Sequence, residues 1–214
     1  MMNNKQASER PRGRPADVGQ QDLRTQILDA AEELFADRGY AATSIRRIAE
    51  ETSVNPALIH YYFGNKRALL QNVMDRALEP LVEAIASMQS NTEASPERIA
   101  GLLTSMAARH PNIPRLLMRE VFLPGGEMQQ HFADNMAPQL GGALPALLDR
   151  EKTAGRLRSD ADPAISAMLI IAVCVFPFIA RTLAEPVLGI DFDAGGIDFL
   201  NRQITQLLKR GMML

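Results

Sequence analysis

Three observations predict an all-α protein. Apolar residues recur at steps of three and four from Leu23 onward, the spacing that lines one face of a helix. Capping residues followed by proline punctuate the chain, as Asn55-Pro56, Ser95-Pro96 and Asp162-Pro163, and each pair marks a helix start. The carboxy-terminal stripe Ile197, Leu200, Ile204, Leu207 and Leu208 has the spacing of a helix packed on other helices. The expected organisation is a flexible basic arm over 1–20, a unit of short helices over 21–68 and a larger helical domain over 69–214.

The elements follow in order. The first twenty residues are polar and hold Pro11, Gly13, Pro15 and Gly19 with no apolar period, which predicts the arm. Leu23, Ile27, Ala30, Ala31, Leu34 and Phe35 then form one helical face, closed by Gly39 just past the end. Thr43 or Ser44 caps a second, two-turn helix that turns Ile45, Ile48 and Ala49 inward. Thr52, Ser53, Val54 and Asn55 break it, and a third helix starts at Pro56 and runs to Phe63 before the polar break at Gly64 and Asn65. A longer fourth helix is expected from about Lys66 to Ser87, with Leu69, Leu70, Val73, Ala77, Leu81 and Ile85 as its apolar stripe.

Composition narrows the function classes. The chain has 214 residues, 46% hydrophobic and 22% charged, which suits a folded protein with a real core. Its lone cysteine, Cys174, rules out a disulfide framework or a cysteine cluster, and neither His110 nor His131 has a second histidine three or four residues away to begin a zinc site. No metal or other cofactor is expected. The amino terminus lacks an apolar stretch, and the longest apolar run, 167–180, is too short for a bilayer and contains Pro177, so a cytoplasmic protein without a membrane partner is expected. No glycine-flanked serine elbow or phosphate-cradling glycine loop appears, so no enzyme is expected.

The net charge of −2 conceals alternating blocks. Residues 1–24 and 44–70 each carry +2, whereas 25–43 and 71–214 each carry −3. A basic block over 44–70 matters because two short helices joined by a tight turn, packed on a longer one, is the layout of a helix-turn-helix DNA reader. In that layout Asn55, Pro56, Ala57 and His60 face the groove, Leu58, Ile59 and Phe63 face inward, and Thr43 and Ser44 offer a helix start to phosphate. Arg46 and Lys66 share the groove face. Tyr62 has a ring to bury and a hydroxyl to offer.

The stretch LDAAEELFADRGYAATSIRRIAEETSVNPALIHYYFGNKRALL resembles the DNA-binding domain of TetR/AcrR transcriptional regulators. The resemblance implies a homodimer that binds a palindromic double-stranded DNA operator, with a ligand-sensing domain behind the reading heads. It implies phosphate contacts for Thr43, Ser44, Tyr61, Tyr62 and Lys66, a guanine contact for Arg46, and base-facing positions for Asn55, Pro56, Ala57 and His60. His60 stands where the family usually has tyrosine. The implied activity is that of a repressor released by a small apolar or amphipathic effector.

Outside that stretch, Arg12-Gly13-Arg14-Pro15 matches the core of an AT-hook, which places Arg12 and Arg14 in an A·T minor groove. The segment 163–184 is apolar nearly all round and must be covered on every side; the resemblance implies that it and the last helix pair with a second copy. Methionines and prolines crowd 106–145, which suits an adaptable cavity as well as ordinary core. Met106, His110, Met118, Phe122 and Phe176 are its candidate lining. The competing reading is an all-helical enzyme acting on a small apolar molecule, for which His110, Arg119 and Glu120 are the available polar groups.

Overall fold

The structure, a computed structural model, describes residues 16–89 and 95–213, with side chains from residue 21. Eleven α-helices and one π-helical turn make up the described residues: α1 (Ala16–Arg38), α2 (Ile45–Glu51), α3 (Pro56–Phe63), α4 (Lys66–Gln89), α5 (Pro96–Arg109), α6 (Ile113–Leu117), the π turn (Met118–Phe122), α7 (Gln129–Asn135), α8 (Ala137–Thr153), α9 (Pro163–Ile179), α10 (Arg181–Leu188) and α11 (Ala194–Met212). Helix α1 starts at Ala16, so the last five residues assigned to the arm are helical; Arg12 and Arg14 lie outside the described residues.

Side-chain caps set the helix starts. Ser44 Oγ accepts from Arg47 N at 3.1 Å, Asn55 Oδ1 from Ala57 N at 2.9 Å and Asn65 Oδ1 from Ala68 N at 2.8 Å. Ser95 and Asp162 cap α5 and α9 in the same way, each with proline at the first turn. Gly39 ends α1 at φ 88°, a backbone region that favours glycine.

Helices α1, α2 and α3 close over Ile27, Ala31, Phe35, Ile48, Ile59 and Phe63, all buried. This core continues without interruption along α4 through Leu69, Leu70, Val73 and Ile85 into the packing of α5, α8 and α9. The small reading unit therefore sits on a shared apolar spine, and α4 carries it.

The carboxy-terminal half departs from expectation in three places. The apolar segment 163–184 is two helices, bent by 74° between α9 and α10. Gly195 and Gly196, which by residue type would precede the last helix, lie inside the first turn of α11, capped by Asp193, and a Cβ on Gly196 would collide with the Asp191 carbonyl oxygen. Leu207 points outward at 61% exposure, whereas Ile204 and Leu208 are buried. Among the described residues no single helix is long and apolar enough to cross a membrane.

The inner face of α9 buries Ala167, Ile170, Cys174 and Phe178. Burial pushes the Cys174 thiol up to about 11 from its ordinary 9.0. The folded state thus holds the proton that the unfolded chain releases, so this contribution to stability is intact below pH 9 and is lost as the pH rises toward 11. Iodoacetamide at pH 8 should leave Cys174 unlabelled in the native protein and label it fully in denaturant; native labelling would place the thiol elsewhere.

Candidate nucleic-acid interface and apolar cavity

Helix α3 has two faces. Ile59 and Phe63 are buried, and Asn55, Pro56, Ala57, His60 and Tyr61 are exposed, Tyr61 at 79%. Tyr62 is half-buried, with its ring edge-on to Tyr61 at 5.3 Å and tilted against Phe63. Arg46 on α2 is also exposed, its Nε 3.3 Å from Glu50 Oε1, and Arg47 Nη1 lies 3.8 Å from the other oxygen of the same carboxylate. Glu50 therefore partly neutralises two guanidinium groups beside the α3 face, each within reach of solvent.

Gly64 follows α3 at φ 79° and ψ −71°. This backbone turns its carbonyl toward the His60 ring, with Nδ1 at 2.7 Å. Only a residue without Cβ adopts it at little cost.

Two residues expected at phosphate serve the scaffold. Thr43 is 1% exposed, and its hydroxyl sits 2.9 Å from the Gly39 oxygen and 3.1 Å from the Leu34 oxygen, so its side chain closes the end of α1. Lys66 reaches the same turn: Nζ donates to Tyr40 O at 2.8 Å and Thr43 O at 2.9 Å and lies 4.1 Å from the centre of the Tyr40 ring. An ammonium held by two carbonyls and a ring is a clamp on the α1–α2 turn. Ser44 is exposed but already occupied as the α2 cap.

Behind this unit lies an apolar cavity of about 210 Å³, bounded by α4, α5, α6, the π turn, α7, α8 and α9. Leu78, Leu81, Leu103, Met106, Leu117, Phe122, Phe132, Leu140, Leu144, Ile171 and Val175 line it, with Ala137 and Gly141, and none is polar. Of the expected lining residues, Met106 and Phe122 border it. Met118 does not, and Phe176 is 62% exposed while its neighbour Val175 takes the inward position. His110 ends α5 and directs Nδ1 to Glu32 Oε2 at 3.3 Å, away from the cavity.

The polar groups once available to an enzyme are likewise engaged elsewhere. Arg119 Nη1 donates to Ala36 O at 3.3 Å, and Glu120 Oε2 accepts from Glu127 N at 3.3 Å. Arg115 also reaches Ala36 O at 3.3 Å, and the Arg119 guanidinium occupies the space that a Cβ on Gly39 would need. Leu117 and Phe122 belong to the same short stretch, so one segment forms both a cavity wall and a clasp on the carboxy-terminal end of α1. Sequence reasoning missed this stretch because helices hold it through tertiary contacts, and Pro111 and Pro114 read locally as breaks.

A part-buried ion pair fastens α1 to α4. Glu32, with 8% of its side chain exposed, accepts from Arg76 Nη2 at 2.9 Å, and Arg76 Nη1 reaches Asp29 at 2.7 Å.

The fold and this exposed face define a helix-turn-helix protein with a helical body. A model of bacterial regulatory proteins of the tetR family matches residues 27–73, and one of a tetracyclin repressor-like carboxy-terminal domain matches residues 96–197. The chain belongs to the TetR family, a family of regulators rather than of enzymes. A helix-turn-helix transcriptional repressor of Mycobacterium tuberculosis is 33% identical over 128 residues, 60% of this chain and 62% of that protein. The regulator BetI of Brucella anthropi is 34% identical over 87 residues, 40% of this chain and 45% of that one. The chain thus spans about three fifths or less of these curated relatives. Among solved structures, the ketosteroid transcriptional regulator KstR2 of Mycobacterium tuberculosis is similar with a TM-score of 0.69 and 16% identity, covering 89% of this chain and 95% of that one. The fatty acid degradation regulator FadR of Bacillus halodurans has a TM-score of 0.68 and 20% identity, over 88% and 95%. These two likenesses concern the fold.

Proposed function

We propose that the protein is a transcriptional repressor that binds a palindromic operator as a homodimer and leaves it when a small apolar effector enters the cavity. The exposed face of α3, capped at Asn55 and flanked by Arg46, carries this reading: it is shaped for a major groove and buries nothing in its own chain. Pairing through α9 and α11 accounts for a second feature. Ile165, Met168, Leu169 and Phe176 form an outward apolar stripe on α9, and Phe199 and Leu207 one on α11.

The lining of the cavity favours an uncharged, apolar effector, because a charged group there would lose its water without gaining a partner. The clasp of Arg115 and Arg119 on Ala36 offers a path from cavity wall to reading unit, and the effector's leverage equals its differential affinity for the two arrangements. Selection from random duplexes, followed by mobility shift, tests the proposal. One inverted repeat should emerge; binding without sequence preference would overturn it.

The cavity gives a separate prediction. Gly141 borders it, and nothing lies within 4 Å of where its Cβ would stand. Gly141 is exposed, so Gly141→Leu should cover the cavity from its solvent side and favour helix α8 by up to about 1 kcal/mol. Benzene, which enters dry apolar cavities of similar size, should raise the melting temperature of the wild type and leave that of the variant unchanged.

A further inference from the structure

We infer that His60 is a specificity-determining residue that reads the exocyclic amino group of an adenine or a cytosine in the major groove. The inference rests on the operator-binding reading above and deepens it. Nδ1 of His60 lies 2.7 Å from the Gly64 carbonyl oxygen, and a carbonyl has no proton to give, so Nδ1 carries the hydrogen. In the neutral ring that assignment leaves Nε2 as a bare lone pair. The ring is exposed on the face that holds Ala57 and Tyr61, and Nε2 has no partner among the described residues. The left-handed backbone of Gly64 at φ 79° aims the carbonyl and so fixes the tautomer from outside the helix.

The consequence is chemical selectivity. An outward acceptor pairs with the N6 amino group of adenine or the N4 amino group of cytosine, the donors that the major groove displays. Guanine offers N7 and O6 and thymine offers O4, all acceptors, which a lone pair repels. A phenol at this position donates or accepts and makes no such choice.

The experiment uses the full chain and the operator obtained by selection. At the base pair that His60 faces, adenine is replaced by purine, or cytosine by 2-pyrimidinone, each lacking only the amino group. Wild type should lose about five- to tenfold in affinity on whichever analogue removes the contacted group. His60→Phe should bind natural and analogue duplexes alike, and His60→Gln, whose amide oxygen restores an acceptor, should recover the discrimination. Nitrogen-15 spectra of the DNA-free protein should show the His60 proton on Nδ1. A proton on Nε2, or a wild type indifferent to both analogues, would overturn the inference while leaving the regulator reading intact. Failure of the wild type to select any sequence would remove that reading and the inference together.

Discussion

Met168→Glu combined with Phe176→Glu should yield a folded monomer that has lost operator binding. Both side chains are more than 60% exposed in the single chain and lie on the outward stripe of α9. In a monomer their replacement costs little, since exposed substitutions usually change stability by no more than about 0.5 kcal/mol. In a dimer that covers this stripe, two copies of each carboxylate would be buried without partners, at a cost of several kcal/mol per charge on the order of buried-ion penalties. Linked half-sites bind far more tightly than separate ones, so loss of the dimer should weaken operator binding by about 100-fold or more. Sedimentation would read the change in mass, and circular dichroism the retained helix. A variant that stays dimeric, or a monomer that keeps full affinity, would contradict the proposed interface.

Arg76→Ala should be among the most destabilising single substitutions outside the apolar core. Arg76 supplies the two hydrogen bonds that tie α4 to Asp29 and Glu32 of α1, and Glu32 is nearly enclosed. Asp29 is solvated and loses little. Glu32 would be left with only His110 Nδ1 at 3.3 Å, and stranding a buried carboxylate costs about 3 kcal/mol. For a chain of this length that corresponds to a fall in melting temperature of roughly 6 to 12 °C. The double variant Glu32→Leu with Arg76→Met should recover most of the loss, because removing both charges leaves none to strand. A single variant destabilised by less than about 1 kcal/mol would mean that Glu32 finds water or another partner.

The sequence makes the amino-terminal helices legible because their boundaries are local chemistry. Asn55 before Pro56, Ser44 before Ile45 and Gly39 after α1 each act within one turn of where they stand, and the structure places a boundary at each. Thr43 and Lys66 are different. Their polar ends look available in the sequence, yet carbonyls at the end of α1 capture Thr43 and carbonyls of the turn after it capture Lys66, and such a capture depends on how three helices meet. The bend at Ala180 is less plainly marked: Pro177 stands three residues earlier inside α9, and the apolar run gives way to Arg181 and Thr182 without a glycine or a side-chain cap. Helices α6, α7 and α8 lie where five prolines suggest interruption, although Pro114 and Pro138 sit in first turns, where proline is tolerated. The cavity was legible in residue type at Met106 and Phe122. His110 was a poor candidate because its partner, Glu32, lies 78 positions away in sequence.

The decisive measurement for the DNA-binding reading is operator affinity across a range of salt concentrations. The net charge of −2 gives no general attraction to DNA, so binding must come from the basic blocks that hold the arm and the reading helices. Affinity for the selected palindrome should fall linearly on logarithmic axes with a slope of about −5 or steeper, as for a dimer that neutralises some six phosphates. A slope near zero, or an equal affinity for duplexes of unrelated sequence, would contradict it.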